Sequence, residues 1–178
     1  YRLREMIMEN ARSLLEKGYQ HHQEGRLRKA EELYLRALQA EPDNPDGLSL
    51  LAVVVNESGR LQEAIELMEK AVRAAPGNRE FSNNLGQLYK NDGQVDEAIE
   101  AYRAALTADP DFADAHNNLA NALVMTERLE DAIGHYRHAL EIDPNNIRAQ
   151  YNLATTLSKQ GNLPEAIEGF LSVVGIDP

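Results

Sequence analysis

The chain has 178 residues, no cysteine, an aromatic share of 6% and a formal net charge of −11. Without cysteine it can form no disulfide and no thiolate site, which fits a reducing compartment such as the cytoplasm, and its acidity argues against binding to nucleic-acid phosphates. No apolar run approaches the roughly 18 residues that a membrane span needs, so we expect no membrane contact.

Residues 1–10 are the first predicted element. Leu3, Met6 and Ile7 continue the helical spacing toward Leu14, which predicts a helical extension or an N-terminal cap. Because residue 1 is Tyr rather than Met, we also expect the chain to be processed or to be part of a longer protein.

From residue 11 onward the sequence is periodic, with a step of 34 residues. Proline recurs at this step as Pro42, Pro76, Pro110, Pro144 and Pro178. Alanine does the same as Ala30, Ala64, Ala98, Ala132 and Ala166. One further series contains Tyr34, Met68, Tyr102, Tyr136 and Phe170. The spacing predicts five repeats, at 11–44, 45–78, 79–112, 113–146 and 147–178.

Each repeat is predicted to contain two helices, described here by positions 1 to 34 of the repeat. The first helix covers about positions 1–14 and ends at a glycine suited to a left-handed cap; this residue is Gly25, Gly59, Gly93 or Gly161, and Glu127 in the fourth repeat. The second helix begins near position 18 and ends before the proline. Short loops make successive helices antiparallel neighbours, and their apolar faces require stacking on the next repeat.

This pattern resembles the tetratricopeptide repeat, whose period is also 34 residues. The matches include the Leu85-Gly86 and Leu119-Ala120 pairs, the Glu97-Ala98 pair, the aromatic residue at position 24 and the proline. The family's tryptophan near position 4 is absent. The resemblance implies an all-α fold, a right-handed superhelical solenoid of five antiparallel helix-turn-helix repeats, and a role in protein binding rather than catalysis.

Positions 2, 5, 6, 9 and 13 of the first helix point away from its apolar face. In tetratricopeptide proteins this stripe lines the groove in which peptides lie. Here it is rich in asparagine, and a carboxamide offers the donor and acceptor that a peptide main chain needs. The series Asn84, Asn118 and Asn152 resembles the asparagine ladder of O-linked N-acetylglucosamine transferases. The candidate groove contains Asn83, Asn84, Gln87, Asn91, Asn117, Asn118, Asn121, Arg148, Tyr151 and Asn152.

The same asparagines could instead be solvated surface, or they could form hydrogen bonds between repeats. Some tetratricopeptide domains clamp a terminal carboxylate with lysine and arginine at set positions, but no window of three repeats supplies those cations here. His135 and His138 lie one turn apart, and we interpret them as a surface pair rather than a zinc site. We assign no catalytic residue, metal or cofactor.

The sequence therefore predicts a scaffold that binds a partner protein or an extended peptide. Residues 79–112 contain three basic and seven acidic residues, and 113–146 contain two and six, so we expect a basic or neutral partner rather than an acidic one. The alternative is the substrate-recruiting arm of a larger enzyme, such as a protein glycosyltransferase. The second helix of the last repeat also predicts self-association through its apolar residues Ile167, Phe170, Leu171 and Val174.

Overall fold

The structure is a computed structural model that describes residues 10–175. The predicted N-terminal extension lies outside the described residues except for Asn10. Within the described part the chain is all α-helical, as predicted, and forms five helix-turn-helix pairs without any strand. The ten helices are α1 Ala11–Gln23, α2 Leu27–Ala40, α3 Pro45–Glu57, α4 Leu61–Ala74, α5 Arg79–Asn91, α6 Val95–Ala108, α7 Ala113–Met125, α8 Leu129–Ile142, α9 Ile147–Gln160 and α10 Leu163–Val173.

The helix beginnings follow from local sequence. An asparagine side chain accepts a hydrogen bond from a first-turn amide at α1, α3 and α9, where Asn10, Asn44 and Asn146 are the caps. Pro45 occupies the first position of α3, where its missing N–H costs no helical hydrogen bond. No helix among residues 10–175 is both long and apolar enough to cross a membrane.

The turn inside each repeat has a left-handed residue at position 15, as predicted. The φ angle is +74° at Gly25 and +94° at Gly161, and Glu127 adopts the same geometry with φ +59°. A side chain in this conformation costs on the order of 1 kcal/mol. The Glu127 carboxylate accepts a hydrogen bond from Lys159 Nζ at 2.9 Å, between two exposed side chains. The fourth turn is therefore built like the others despite its glutamate.

Residues 10–81 form one compact unit of the chain. Within it α1 packs on α2, α2 on α3 and α3 on α4. The aromatic ring of Tyr34 is fully buried and covers Gly18, where an added Cβ would lie 2.5 Å from Tyr34 Cε1. The small residue at position 8 is thus required by the ring at position 24.

Residues 82–175 form the second compact unit. Here α6 packs on α7, α7 on α8, α8 on α9 and α9 on α10. The core between α6 and α8 contains the buried side chains of Tyr102, Leu119, Leu123 and Tyr136. This packing fixes the first helices of neighbouring repeats side by side, and their polar side chains form the candidate site.

Candidate functional site

The asparagines of the second unit are joined by hydrogen bonds between repeats. Asn118 Nδ2 donates to Asn83 Oδ1 at 3.0 Å. Asn152 Nδ2 donates to Asn117 Oδ1 at 3.3 Å and to Asn121 Oδ1 at 3.1 Å. Each bond joins a position-6 asparagine to position 5 or 9 of the preceding repeat. We call these five residues the amide ladder. Of the two alternatives, solvated surface and hydrogen bonds between repeats, the structure shows the second for these residues.

Buried tyrosines hold part of this ladder from behind. Tyr136 Oη donates to Asn121 Oδ1 at 2.7 Å, and Tyr102 Oη donates to Gln87 Oε1 at 3.4 Å. Both bonds join repeat position 24, in the second helix, to position 9 of the same repeat, in the first helix. Burial raises the pKa of Tyr136 to about 12, so its hydroxyl remains a donor. The second helix thereby orients the amides that the first helix presents.

The ladder retains hydrogen-bonding capacity beyond these contacts. A carboxamide has two N–H donors and one oxygen acceptor. Among the described residues, neither the Asn118 nor the Asn152 Oδ1 accepts a hydrogen bond, and Asn118 Nδ2 donates only one. Both side chains are half-buried. A bound peptide could therefore use these groups without breaking the ladder.

A cleft of about 440 Å³ lies over the ladder and is named the amide cleft here. It brings together seven of the ten predicted groove residues. Three predicted residues do not line the cleft: Asn83, Asn84 and Asn91. Of these, Asn83 is nevertheless a member of the ladder. The complete lining is Gln87, Lys90, Asn117, Asn118, Asn121, Ile147, Arg148, Tyr151, Asn152 and Val173.

Three lining residues were not predicted from the sequence: Lys90, Ile147 and Val173. Lys90 occupies position 12, three residues after Gln87 and therefore one helical turn along the same side of α5. Extending the stripe by this turn would have included it. Val173 belongs to a second helix, α10, and no periodicity of the first helices indicates it.

The first unit has a different surface at the corresponding helix positions. A cleft of about 480 Å³ contains Leu15, Tyr19, Leu50 and Phe81 together with Arg12, Glu16, Asp46 and Ser49. Its apolar side chains replace the amides of the second unit. The two clefts thus differ in chemistry: the first is lined largely by apolar side chains, whereas the amide cleft offers hydrogen-bond donors and acceptors.

The interpretation of His135 and His138 as a surface pair has to be corrected, because both rings lie against a third histidine. His116, at position 4, is only 8% exposed, and its Nδ1 lies 2.9 Å from His135 Nδ1. The ring centroids of His116 and His138 are 4.4 Å apart. The three histidines therefore form a cluster around the buried His116, in which the His138 side chain remains 45% exposed. No group of three or more His, Cys, Asp or Glu among the described residues is arranged to hold a metal ion.

The residues predicted for self-association differ in exposure. Ile167 and Val174 are 57% and 64% exposed, whereas Phe170 and Leu171 are half-buried. The Phe170 ring packs edge-on against Tyr151, with centroids 5.7 Å apart. Phe170 therefore belongs to the packing of its own repeat, and self-association through the remaining residues stays a prediction.

Comparisons with known proteins agree with this architecture. Among solved structures, the crystal structure of MamA is 25% identical with a TM-score of 0.82, over 89% of this chain and 92% of that chain. YrrB, described as a TPR protein with an unusual peptide-binding site, is 22% identical with a TM-score of 0.79, over 98% and 90%. The pilF protein of Pseudomonas aeruginosa is 20% identical with a TM-score of 0.85, over 94% and 77%.

Curated protein sequences give no match. Family models do: one model of the tetratricopeptide repeat matches residues 10–79 and 83–147, and another matches residues 135–168. These matches cover most of the described helices. The chain therefore belongs to the tetratricopeptide repeat family.

Proposed function

We propose that the second unit binds an extended peptide along its amide ladder, so that the chain acts as a protein-interaction scaffold. The observation that carries the proposal is the half-buried row of carboxamides in the amide cleft, with hydrogen-bonding groups still unused. The description of the structurally similar YrrB as peptide-binding supports it. We also propose a cytoplasmic location, because a chain without cysteine fits a reducing compartment.

The amides are suited to main-chain recognition. A peptide unit presents one N–H and one C=O, and a carboxamide satisfies both. Recognition of this kind depends little on the peptide's side chains, as the resemblance of the asparagine series to that of O-linked N-acetylglucosamine transferases would imply. A substrate-recruiting arm of such an enzyme remains an alternative, which the full-length reading frame would test.

The ladder's own hydrogen bonds require a matched pair of variants. Asn118→Ala removes both a cleft amide and the bond to Asn83. Asn83→Ala removes the same bond but no lining residue of the cleft. We expect similar small losses of stability, about 1 kcal/mol, but a loss of peptide affinity mainly in Asn118→Ala.

The probe is a set of peptides selected from a displayed random dodecapeptide library by the wild-type chain. Their affinities are then measured for both variants by fluorescence anisotropy, with thermal melting as the control for folding. Equal affinities in Asn83→Ala and Asn118→Ala would show that the ladder is structural only. Failure to select any peptide would also sink the proposal.

A further inference from the structure

The amide cleft differs in charge from the rest of the molecule. The chain carries a net charge of −11, yet the cleft is lined by Lys90 and Arg148 and by no aspartate or glutamate. The other two larger clefts do contain carboxylates, Glu130 and Asp131 in one and Glu16 and Asp46 in the other. The amide cleft is thus a local region of positive charge on an acidic protein.

The two cations also lack internal partners. Among the described residues, no carboxylate forms an ion pair or hydrogen bond with the Lys90 ammonium or the Arg148 guanidinium. By contrast Lys159, on the same helix as Arg148, pairs with Glu127 at 2.9 Å. Burial lowers the pKa of Lys90 from its ordinary value, and no nearby acid counters this effect. A half-buried ammonium without a counter-charge is costly, and a bound anion would relieve that cost.

We propose that the amide cleft binds an aspartate or glutamate side chain of an extended peptide, with Lys90 and Arg148 as its cationic contacts. The inference rests on the proposed peptide binding and names the chemistry of the bound segment. The neighbouring amides of Asn118 and Asn152 remain available to the main chain on either side of the acidic residue. Arginine can hold a carboxylate through two parallel hydrogen bonds, whereas the lysine acts as a compact charge.

A side-chain carboxylate suits this position better than a terminal one. The amide ladder runs through three successive repeats, from Asn83 to Asn152, and four of its five amides line the same cleft as Lys90 and Arg148, so a main chain that continues past the cations has amide partners beside them. A terminal carboxylate would end the peptide there and leave some of the amides unused. Charge complementarity alone would favour any carboxylate. The length of the ladder adds the preference for a side-chain carboxylate over a terminal one.

The experiment selects binders from the displayed random dodecapeptide library with four forms of the chain. These are the wild type, Lys90→Gln, Arg148→Gln and the matched control Lys159→Gln, which removes a cation from α9 outside the cleft. In the display format the peptide's C-terminus is fused to the carrier, so an enriched acidic residue acts through its side chain. Circular dichroism and thermal melting establish that each variant is folded; Arg148 is exposed, so its removal should not affect folding.

We expect the wild type and Lys159→Gln to enrich aspartate or glutamate and the two cleft variants to lose that enrichment. Synthetic copies of the selected peptides should bind about tenfold more weakly to either cleft variant, and replacing their acidic residue by the corresponding amide should have the same effect. Amidation of the peptide C-terminus should change nothing.

Three results would overturn the inference. Peptides that depend on Asn118 but show no acidic enrichment would leave the proposed function standing and remove the charge contact. Selected peptides without an acidic residue, whose synthetic free acids bind wild type more tightly than their C-terminal amides but lose that difference in Lys90→Gln and Arg148→Gln, would show that the cations bind a terminal carboxylate instead. If no peptide is selected at all, the proposed function fails as well.

Discussion

At the scale of single residues, positions 9 and 24 of a repeat depend on each other. Tyrosine at position 24 pairs with an amide at position 9 in Tyr102–Gln87 and Tyr136–Asn121. Repeat 2 has Met68 and Val53 at these positions, so it needs no polar partner. The first repeat breaks the rule, because Tyr19 stands where the amide is required. As a result the buried Tyr34 hydroxyl has no hydrogen-bond partner among the described residues.

This difference predicts opposite effects for one substitution at two equivalent sites. Tyr136→Phe should lower the free energy of unfolding by about 1 kcal/mol, because it removes the hydrogen bond to Asn121. Tyr34→Phe should leave it unchanged or raise it, because the lost hydroxyl is buried without a partner. Urea unfolding of the two variants beside the wild type provides the comparison. Equal losses at both sites would mean that the Tyr34 hydroxyl is satisfied in solution.

At the scale of helices, the sequence predicted most of the architecture. The recurring proline and glycine gave the period, and the helices begin and end within about two residues of the predicted positions, except that α10 ends at Val173, position 27 of its repeat and earlier than predicted. The reason is local: caps, left-handed turns and apolar stripes are encoded within one repeat.

The candidate site was predicted less completely, because it depends on contacts between repeats. Which asparagine meets which, at positions 5 and 6 of neighbouring repeats, follows from the offset between two first helices. The clustering of His116 with His135 lies within one repeat, but it depends on how the side chains of α7 and α8 pack against each other. Periodicity within one repeat contains neither piece of information.

The histidine cluster of the α7–α8 hairpin makes stability depend on pH. His116 Nε2 lies 2.9 Å from the Pro110 carbonyl oxygen and donates to it, so in the neutral ring Nδ1 accepts from His135. Desolvation lowers the pKa of both rings. At His116 the hydrogen bond to Pro110 and the charge of Asp111 oppose this shift, and His138 adds to it. At His135 the charges of His116, His138 and Arg103 add to the lowering of the pKa, and Asp131 opposes it. Folding therefore favours the neutral form of the pair.

Because both folded-state pKa values are depressed, the stabilisation is fully present above the unfolded histidine pKa of about 6.5. It is lost as the pH falls from there toward the folded-state values. We expect the melting temperature to fall between pH 7.5 and pH 5.5. In the double variant His116→Leu/His135→Leu the melting temperature should fall less over this range, because the titrating rings are gone. Leucine fits both positions, since the equivalent residues of repeat 1 are the packed Leu14 and Leu33. An unchanged pH dependence in the double variant would show that these rings do not cause it.

At the scale of the whole molecule, net charge and local charge act on different steps of binding. The net charge of −11 acts at long range, and we expect it to slow the approach of an acidic partner relative to a basic or neutral one. Lys90 and Arg148 act at contact range within the amide cleft. A partner that is basic or neutral overall, but whose bound segment carries a carboxylate, would satisfy both requirements.

This division predicts a kinetic signature in salt. Raising the ionic strength from about 0.1 M to about 1 M shortens the screening length from about 10 Å to about 3 Å. For an acidic peptide that depends on Lys90 and Arg148, the association rate constant should rise several-fold, because the repulsion of the whole chain is screened. Its dissociation rate constant should also rise, because the contacts to the two cations weaken.

A matched peptide with lysines added beyond the bound segment should differ from the acidic peptide in the salt dependence of its association rate constant only. Its association should slow with salt, since the long-range attraction is screened, while its dissociation should respond as that of the acidic peptide does. Stopped-flow fluorescence measures both rate constants for both peptides. If association of the acidic peptide slows as salt is added, the field of the cleft, rather than the net charge of the chain, governs the approach of the partner.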